Sequence, residues 1–202
     1  MKSLLKIIIF KVLSRFIIKY GNSGSVYITF DDGPHPENTV LILDILKKQN
    51  IYATFFMSGS EIKKYPDIVK MVHSEGHTVG YHSFSHHSFK KISIFSVIKE
   101  LSAGRSLAKK LGIKFNLFRP PYGDLTILSF LYLLLSGWKV VMWSLDSRDS
   151  FDSKEKVIEL VDVEKLSDGE ILLFHDDYIL TAEILPDILK KYQAKGIRCK
   201  AL

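Results

Sequence analysis

From about residue 25 to the end of the chain, short apolar runs rich in β-branched and aromatic residues alternate with longer stretches whose apolar positions recur every three or four residues. The first such run, Ser25-Val26-Tyr27-Ile28-Thr29-Phe30, is closed by Gly33-Pro34 and predicts a buried strand. Further strands are predicted over 52–57, 77–81, 115–118, 138–145, 170–175 and 196–200, with helices over 38–49, 65–75, 93–111, 124–135, 153–165 and 180–194. Strand–helix alternation of this kind predicts a parallel α/β fold. The charged motifs fall at strand C-termini, which suits a distorted (β/α) barrel of about seven parallel strands, a TIM-barrel-like arrangement whose working end collects those termini.

The pattern changes at the N-terminus. Lys2, Lys6, Lys11, Arg15 and Lys19 interrupt a strongly apolar stretch in which Leu5, Ile9, Val12 and Phe16 fall on one helical stripe. Cations at this spacing forbid a spanning helix, and no small-residue cleavage site follows. Residues 1–22 therefore predict a basic amphipathic arm lying peripherally on an anionic membrane surface, followed by one catalytic-size domain over 23–202. An uncleaved export signal and a segment packed on the barrel are the alternatives.

Composition adds bounds rather than identity. The 202 residues are 47% hydrophobic, enough for one full core without a linker-like tract. One cysteine, Cys199, excludes an internal disulfide, and its position suggests a small apolar residue on the last strand. The net charge of +6 is spread over helix faces without aromatic interleaving, so nucleic acid is not an expected partner.

The chemistry concentrates in Asp31-Asp32 and in His82 and His86. A catalytic zinc takes two or three protein ligands and keeps a position open for water, a need that Asp32, His82 and His86 meet. The histidine spacing suggests one side of a helical turn. Asp31 is left to act as a base, while His35, His73 and His77 are read as surface or loop histidines.

Three further segments follow: Phe118-Arg119-Pro120-Pro121-Tyr122-Gly123, Trp143-Ser144-Leu145-Asp146-Ser147-Arg148-Asp149 and Ile171-Leu172-Leu173-Phe174-His175-Asp176. With T-F-D-D-G-P and H-S-x-x-H they occur in the order found in polysaccharide deacetylases of the NodB-homology type, carbohydrate esterase family 4, which the chain resembles from Thr29 to His175. The resemblance implies a metal-dependent deacetylase acting on N-acetylhexosamine units of a glycan or lipid-linked glycan precursor. It implies a divalent metal, zinc first with Co2+, Ni2+ or Mn2+ as alternatives, on Asp32, His82 and His86. Asp31 would be the base, fixed by Arg119; His175 would be the acid, supported by Asp149. The backbone N–H of Tyr122 would meet the oxyanion, with Pro121 beside it in the substrate pocket. Where the family usually carries a tryptophan wall, this chain has Ser150, with Phe151 next to it as a substitute. An O-acetyl esterase and a carbohydrate-binding pseudoenzyme are the competing functions.

Overall fold

In the computed structural model, which describes residues 16–202, nine short strands form one curled sheet: β1 Ile17–Ile18, β2 Val26–Asp31, β3 Thr54–Met57, β4 Thr78–Tyr81, β5 Leu117–Phe118, β6 Lys139–Val141, β7 Leu145–Asp146, β8 Ile171–His175 and β9 Cys199–Lys200. Every strand pairing is parallel. The order is β1-β6-β5-β4-β3-β2-β8-β7, with β9 added against the start of β2. Among the described residues seven helices pack outside: α1 Asn38–Gln49, α2 Gly59–Lys64, α3 Pro66–Ser74, α4 Ile94–Leu111, α5 Ile127–Leu135, α6 Lys154–Leu160 and α7 Ile179–Ala194. The distorted (β/α) barrel is what the alternation of apolar periods called for.

β2 is the hub. All six of its residues are buried, as expected of a parallel strand covered on both faces, and Asp31 at its C-terminal end pairs in register with Phe56 on β3 and His175 on β8. The core around it is aromatic: Phe30 stacks on Phe55, and Tyr81 stacks on Phe115 and Trp138.

Four expectations need correction. The strand expected over 138–145 is two strands: β6 pairs with β5 and β1, whereas β7 pairs with β8, the switch being made where Met142 N–H donates to Ile18 and Ser144 N–H donates to Ile171. This broken run carries the chain from one flank of the curled sheet to the other. β1 lies inside the segment read as an amphipathic arm, since Ile17 and Ile18 sit in register with Val140 and Val141 and Tyr20 bridges Glu170. Phe16, the last residue of the expected stripe, directly precedes β1. The remaining stripe residues, Leu5, Ile9 and Val12, lie outside the described residues.

The helix expected over 153–165 ends at Leu160, because the Asp162 carboxylate accepts the Glu164 N–H and starts a separate turn. The helix expected from residue 124 begins at Ile127, where Thr126 and Ser129 form a reciprocal cap. α2 has one buried apolar side chain, Ile62, and so had no periodicity to reveal it. Cys199 is half-buried on β9, its thiol pushed up to about 12 by burial. Among the described residues no helix is long and apolar enough to cross a membrane.

Candidate metal and proton-transfer site

The expected residues meet at the C-terminal end of the strands. Asp31 ends β2, and Asp32 follows with a left-handed backbone at φ 77. That turn throws the second carboxylate away from the direction the strand gave the first. It is held by Asp176, whose Oδ1 accepts the Gly33 N–H at 2.9 Å and whose other oxygen accepts from Thr39 Oγ1. Position 33 must be glycine, because a Cβ there would stand 2.2 Å from Asp176 Oδ2.

His82 follows β4 and His86 lies in the same loop. This loop is irregular, not a helical turn: Ser83 and His86 are both left-handed, at φ 64 and 55. Ser83 Oγ accepts the His86 N–H at 3.1 Å, folding the second histidine back over the first. The carboxylate of Glu100, on α4, accepts from Phe84 N–H, Ser85 N–H and Ser85 Oγ at 2.7, 2.9 and 2.6 Å. Glu100 had no sequence signal, being one charge among several on a long amphipathic helix.

Three atoms of this group form a near-equilateral triangle. His86 Nε2 is 3.1 Å from Asp32 Oδ1 and 3.2 Å from His82 Nε2, and His82 Nε2 is 3.5 Å from Asp32 Oδ1. Ligands of a tetrahedral zinc, at about 2.0–2.1 Å from the ion, stand about 3.3 Å apart. Asp32 Oδ1 is buried without a hydrogen-bond partner, which a cation would relieve. His82 Nδ1 lies 2.7 Å from the Arg119 carbonyl, an acceptor, so Nδ1 carries the proton. Burial, opposed by the charge of Asp32, pushes His82 down to about 3, leaving Nε2 an available lone pair. The residues present thus fit a divalent metal.

Two charge pairs flank the triangle. Asp31 and Arg119 are both buried, with Arg119 Nη1 donating to Asp31 Oδ1 at 2.7 Å and to Thr29 Oγ1 at 2.8 Å, and Nη2 donating to the Met142 carbonyl at 3.2 Å. The guanidinium lies over the Phe56 ring at 4.1 Å. Burial raises the proton affinity of Asp31 more than Arg119 lowers it, so the net shift is upward. Its other oxygen, Oδ2, is 3.7 Å from His82 Nε2.

On the opposite flank, Asp149 Oδ1 meets His175 Nδ1 at 2.7 Å, and Asp149 Oδ2 accepts the His175 N–H at 2.7 Å and the Thr181 hydroxyl. Burial works against the imidazolium, but the hydrogen bond and charge of Asp149, aided by Asp31 and Asp32, push His175 up to about 9. Two charge pairs, Asp31–Arg119 with an upward-shifted carboxyl and His175–Asp149 with an upward-shifted imidazole, thus accompany the triangle of Asp32, His82 and His86.

Pro121 is buried in a tight turn, whereas Tyr122 is left-handed at φ 59, two-thirds exposed, and sets its ring edge-on to His86 at 4.8 Å. Gly123 and Asp124 donate the turn's own hydrogen bonds. Ser150 Oγ is buried without a partner, and Phe151 is 79% exposed on a turn begun by left-handed Arg148. Tyr178 precedes α7 with its ring edge toward His175 at 6.1 Å.

His77 corrects an expectation. It is buried, accepting the Ala53 N–H at 3.1 Å against the Phe55 ring, and desolvation pushes it down to about 4. Its place at the start of β4 puts it at the far end of the barrel. His35 and His73 stay in loop and surface positions, His35 Nδ1 accepting the Asn38 N–H at 3.2 Å.

Comparison with known proteins gives the family and the fold. The polysaccharide deacetylase family model matches residues 19–134. A peptidoglycan-N-acetylmuramic acid deacetylase of Bacillus subtilis, PdaC, is 35% identical over 178 residues, covering 87% of this chain and 37% of the relative. A crystal structure of the Bc1960 peptidoglycan N-acetylglucosamine deacetylase superposes with a TM-score of 0.86 at 28% identity, covering 93% of this chain and 91% of that one. A pseudoenzyme of carbohydrate esterase family 4 from Bacillus anthracis, BA3943, superposes with a TM-score of 0.84 at 26% identity, covering 92% and 67%. The chain spans between a third and a half of the first curated relatives it matches, 37% of one and 47% of another.

Proposed function

Because the chain belongs to the polysaccharide deacetylase family, we propose that it is a metal-dependent amidohydrolase removing N-acetyl groups from N-acetylhexosamine units of a cell-envelope glycan, with peptidoglycan strands as the first substrate class. Peptidoglycan comes from the names of the relatives; the chemistry comes from the site. The observation that carries the reading is the triangle of Asp32, His82 and His86 set between a buried Asp31–Arg119 pair and a His175–Asp149 pair. A divalent ion on that triangle, zinc by preference, supplies Lewis acidity and makes a water acidic enough to attack near neutral pH.

The side chains do the rest. Asp31, with its affinity for protons raised by burial, takes the proton of the attacking water, and Arg119 keeps its carboxylate aimed. Water adds to the acetamide carbonyl, and the Tyr122 N–H meets the oxygen where negative charge develops. The C–N bond then breaks, His175 gives its proton to the departing amine, and acetate and a free amino sugar leave. A fold match extends to a pseudoenzyme, so the reading rests on the side chains: the Asp32, His82 and His86 triangle that could hold an ion, with the Asp31–Arg119 and His175–Asp149 pairs beside it.

The test is acetate release from N-acetylated peptidoglycan oligomers by the parent and by Asp31→Asn. The variant should keep its metal and slow by a factor on the order of a hundred or more, the scale of a lost general base. No release by the metal-loaded parent, or faster release from an O-acetylated polymer, would overturn the amide reading.

The pH profile tests the acid separately. His175 acts protonated, so its limb of the profile should hold below about 9 and fall as pH rises through it. In Asp149→Asn the burial penalty loses its main opponent, and the limb should move to below the ordinary histidine value of about 6.5. An unmoved alkaline limb would show that another group supplies the proton.

A further inference from the structure

α5 buries one face, Ser129, Phe130 and Leu133, and leaves Leu128, Leu131 and Leu135 exposed at 65, 38 and 88%. The spacing places these three on one helical stripe. Around the C-terminal end of that helix stand Lys109, Lys110, Lys114 and Lys139, all exposed and, among the described residues, in no ion pair. Arg105 ties the two groups together, its Nη2 donating to the Ser136 carbonyl just past α5 while Lys109 follows one turn later on α4. From Leu101 to Leu145 the chain has one acid, Asp124, which is bound to Lys90 and Ser88.

An apolar stripe bordered by unpaired lysines and almost free of acids matches the interface of an anionic bilayer, where leucines enter the headgroup boundary and lysines meet phosphates. A second protein copy would have to answer the same concentration of positive charge with its own. The chain's N-terminus enters beside this patch. β1 pairs with β6 at Ile17 and Val140, next to Lys139, and the fifteen residues before Phe16, which lie outside the described residues, carry Lys2, Lys6, Lys11 and Arg15 and no acid. We propose that the α5 leucine stripe and the Lys109, Lys110, Lys114 and Lys139 cluster form a membrane-contact surface of the catalytic domain, seating it on an anionic phospholipid bilayer. The lysines border the N-terminal ends of β5 and β6, opposite the catalytic end, so the docked domain turns its site away from the lipid, toward assembled glycan rather than a lipid-linked precursor.

The experiment is sedimentation of the full chain with vesicles of phosphatidylglycerol and of phosphatidylcholine. Replacing the four lysines with glutamine should weaken binding to the anionic vesicles at least about tenfold and remove most of its salt dependence. A chain carrying Leu128→Gln, Leu131→Gln and Leu135→Gln should weaken about tenfold without losing the salt dependence. Both variants should keep parental turnover of a short soluble acetylated oligosaccharide, since neither touches the site, and that turnover checks their fold. Parental vesicle binding in both variants would overturn the proposal. So would a parent dimer that the leucine changes split, which makes a second copy the occupant. A leucine variant of much lower thermal stability with unchanged vesicle binding would assign the stripe to the chain's own N-terminal residues and overturn it equally.

Discussion

Replacing Arg119 with methionine is expected to cost about 3–5 kcal/mol of stability, the scale seen when one partner of a buried ion pair is removed. The guanidinium is fully buried and its donors serve Asp31, Thr29 and the Met142 carbonyl at once, so its loss strands three acceptors. Asp31 loses the charge that opposes its desolvation, so the upward shift of its carboxyl grows and a smaller share of it is free to take a proton. Activity should fall with stability. The double variant Arg119→Met with Asp31→Asn should recover much of the stability and none of the activity, because a neutral amide needs no counter-charge. Urea denaturation of the four proteins measures the cycle, and a single Arg119→Met variant within about 1 kcal/mol of the parent would contradict it.

The second large effect concerns the metal triangle. His82→Ala and His86→Ala each remove one of the three proposed ligands, and bound zinc should drop from near one per chain to near zero, with turnover lost by at least about a thousandfold. The readout independent of activity is thermal. An ion that binds only the folded chain raises stability by RT ln(1 + [L]/Kd), so added zinc should lift the Tm of the chelator-treated parent by several degrees and leave the variants where they were. The variants should stay folded, because the core around Phe30, Phe55 and Phe174 is built without these side chains. Equal zinc content and an equal rise in Tm would remove the histidines from the site.

Most of the scaffold was legible because period and burial coincide. The run ending in Phe30 reads as a strand and is one, and the helix expected over 38–49 has those same bounds. What hid from the sequence was partner choice. Nothing in Lys139 to Asp146 reveals that its first half bonds β5 and its second half β8, since apolar residues run through both halves without a glycine or proline between them. Ile17–Ile18 was absorbed into the segment 1–22 because two residues are too few to display a period of two.

At the site, residue types were legible and conformations were not. Asp32, His82 and His86 were named from chemistry, but the loop that joins the histidines runs through two left-handed residues rather than a helical turn. Glu100, which ties that loop down, and Asp176, which holds Gly33, act through backbone amides, and such bonds leave no spacing in a sequence. His77 misled in the other direction: a polar residue before a strand was read as exposed, yet its ring replaces a missing backbone partner for Ala53.

Of the six left-handed residues other than glycine among the described residues, Asn50 ends α1, while Asp32, Ser83, His86, Tyr122 and Arg148 all belong to the loops of the site. Each such position costs on the order of 1 kcal/mol or more relative to relaxed backbone. Selection for turnover must hold these loops in place against a standing thermodynamic bias. A descendant released from that selection gains stability by relaxing them, through glycine or asparagine at these positions or through a shortened histidine loop, with the barrel untouched. Decay toward an inactive, sturdier homologue therefore runs downhill in free energy, whereas the return path requires several unfavourable backbone turns to be rebuilt together.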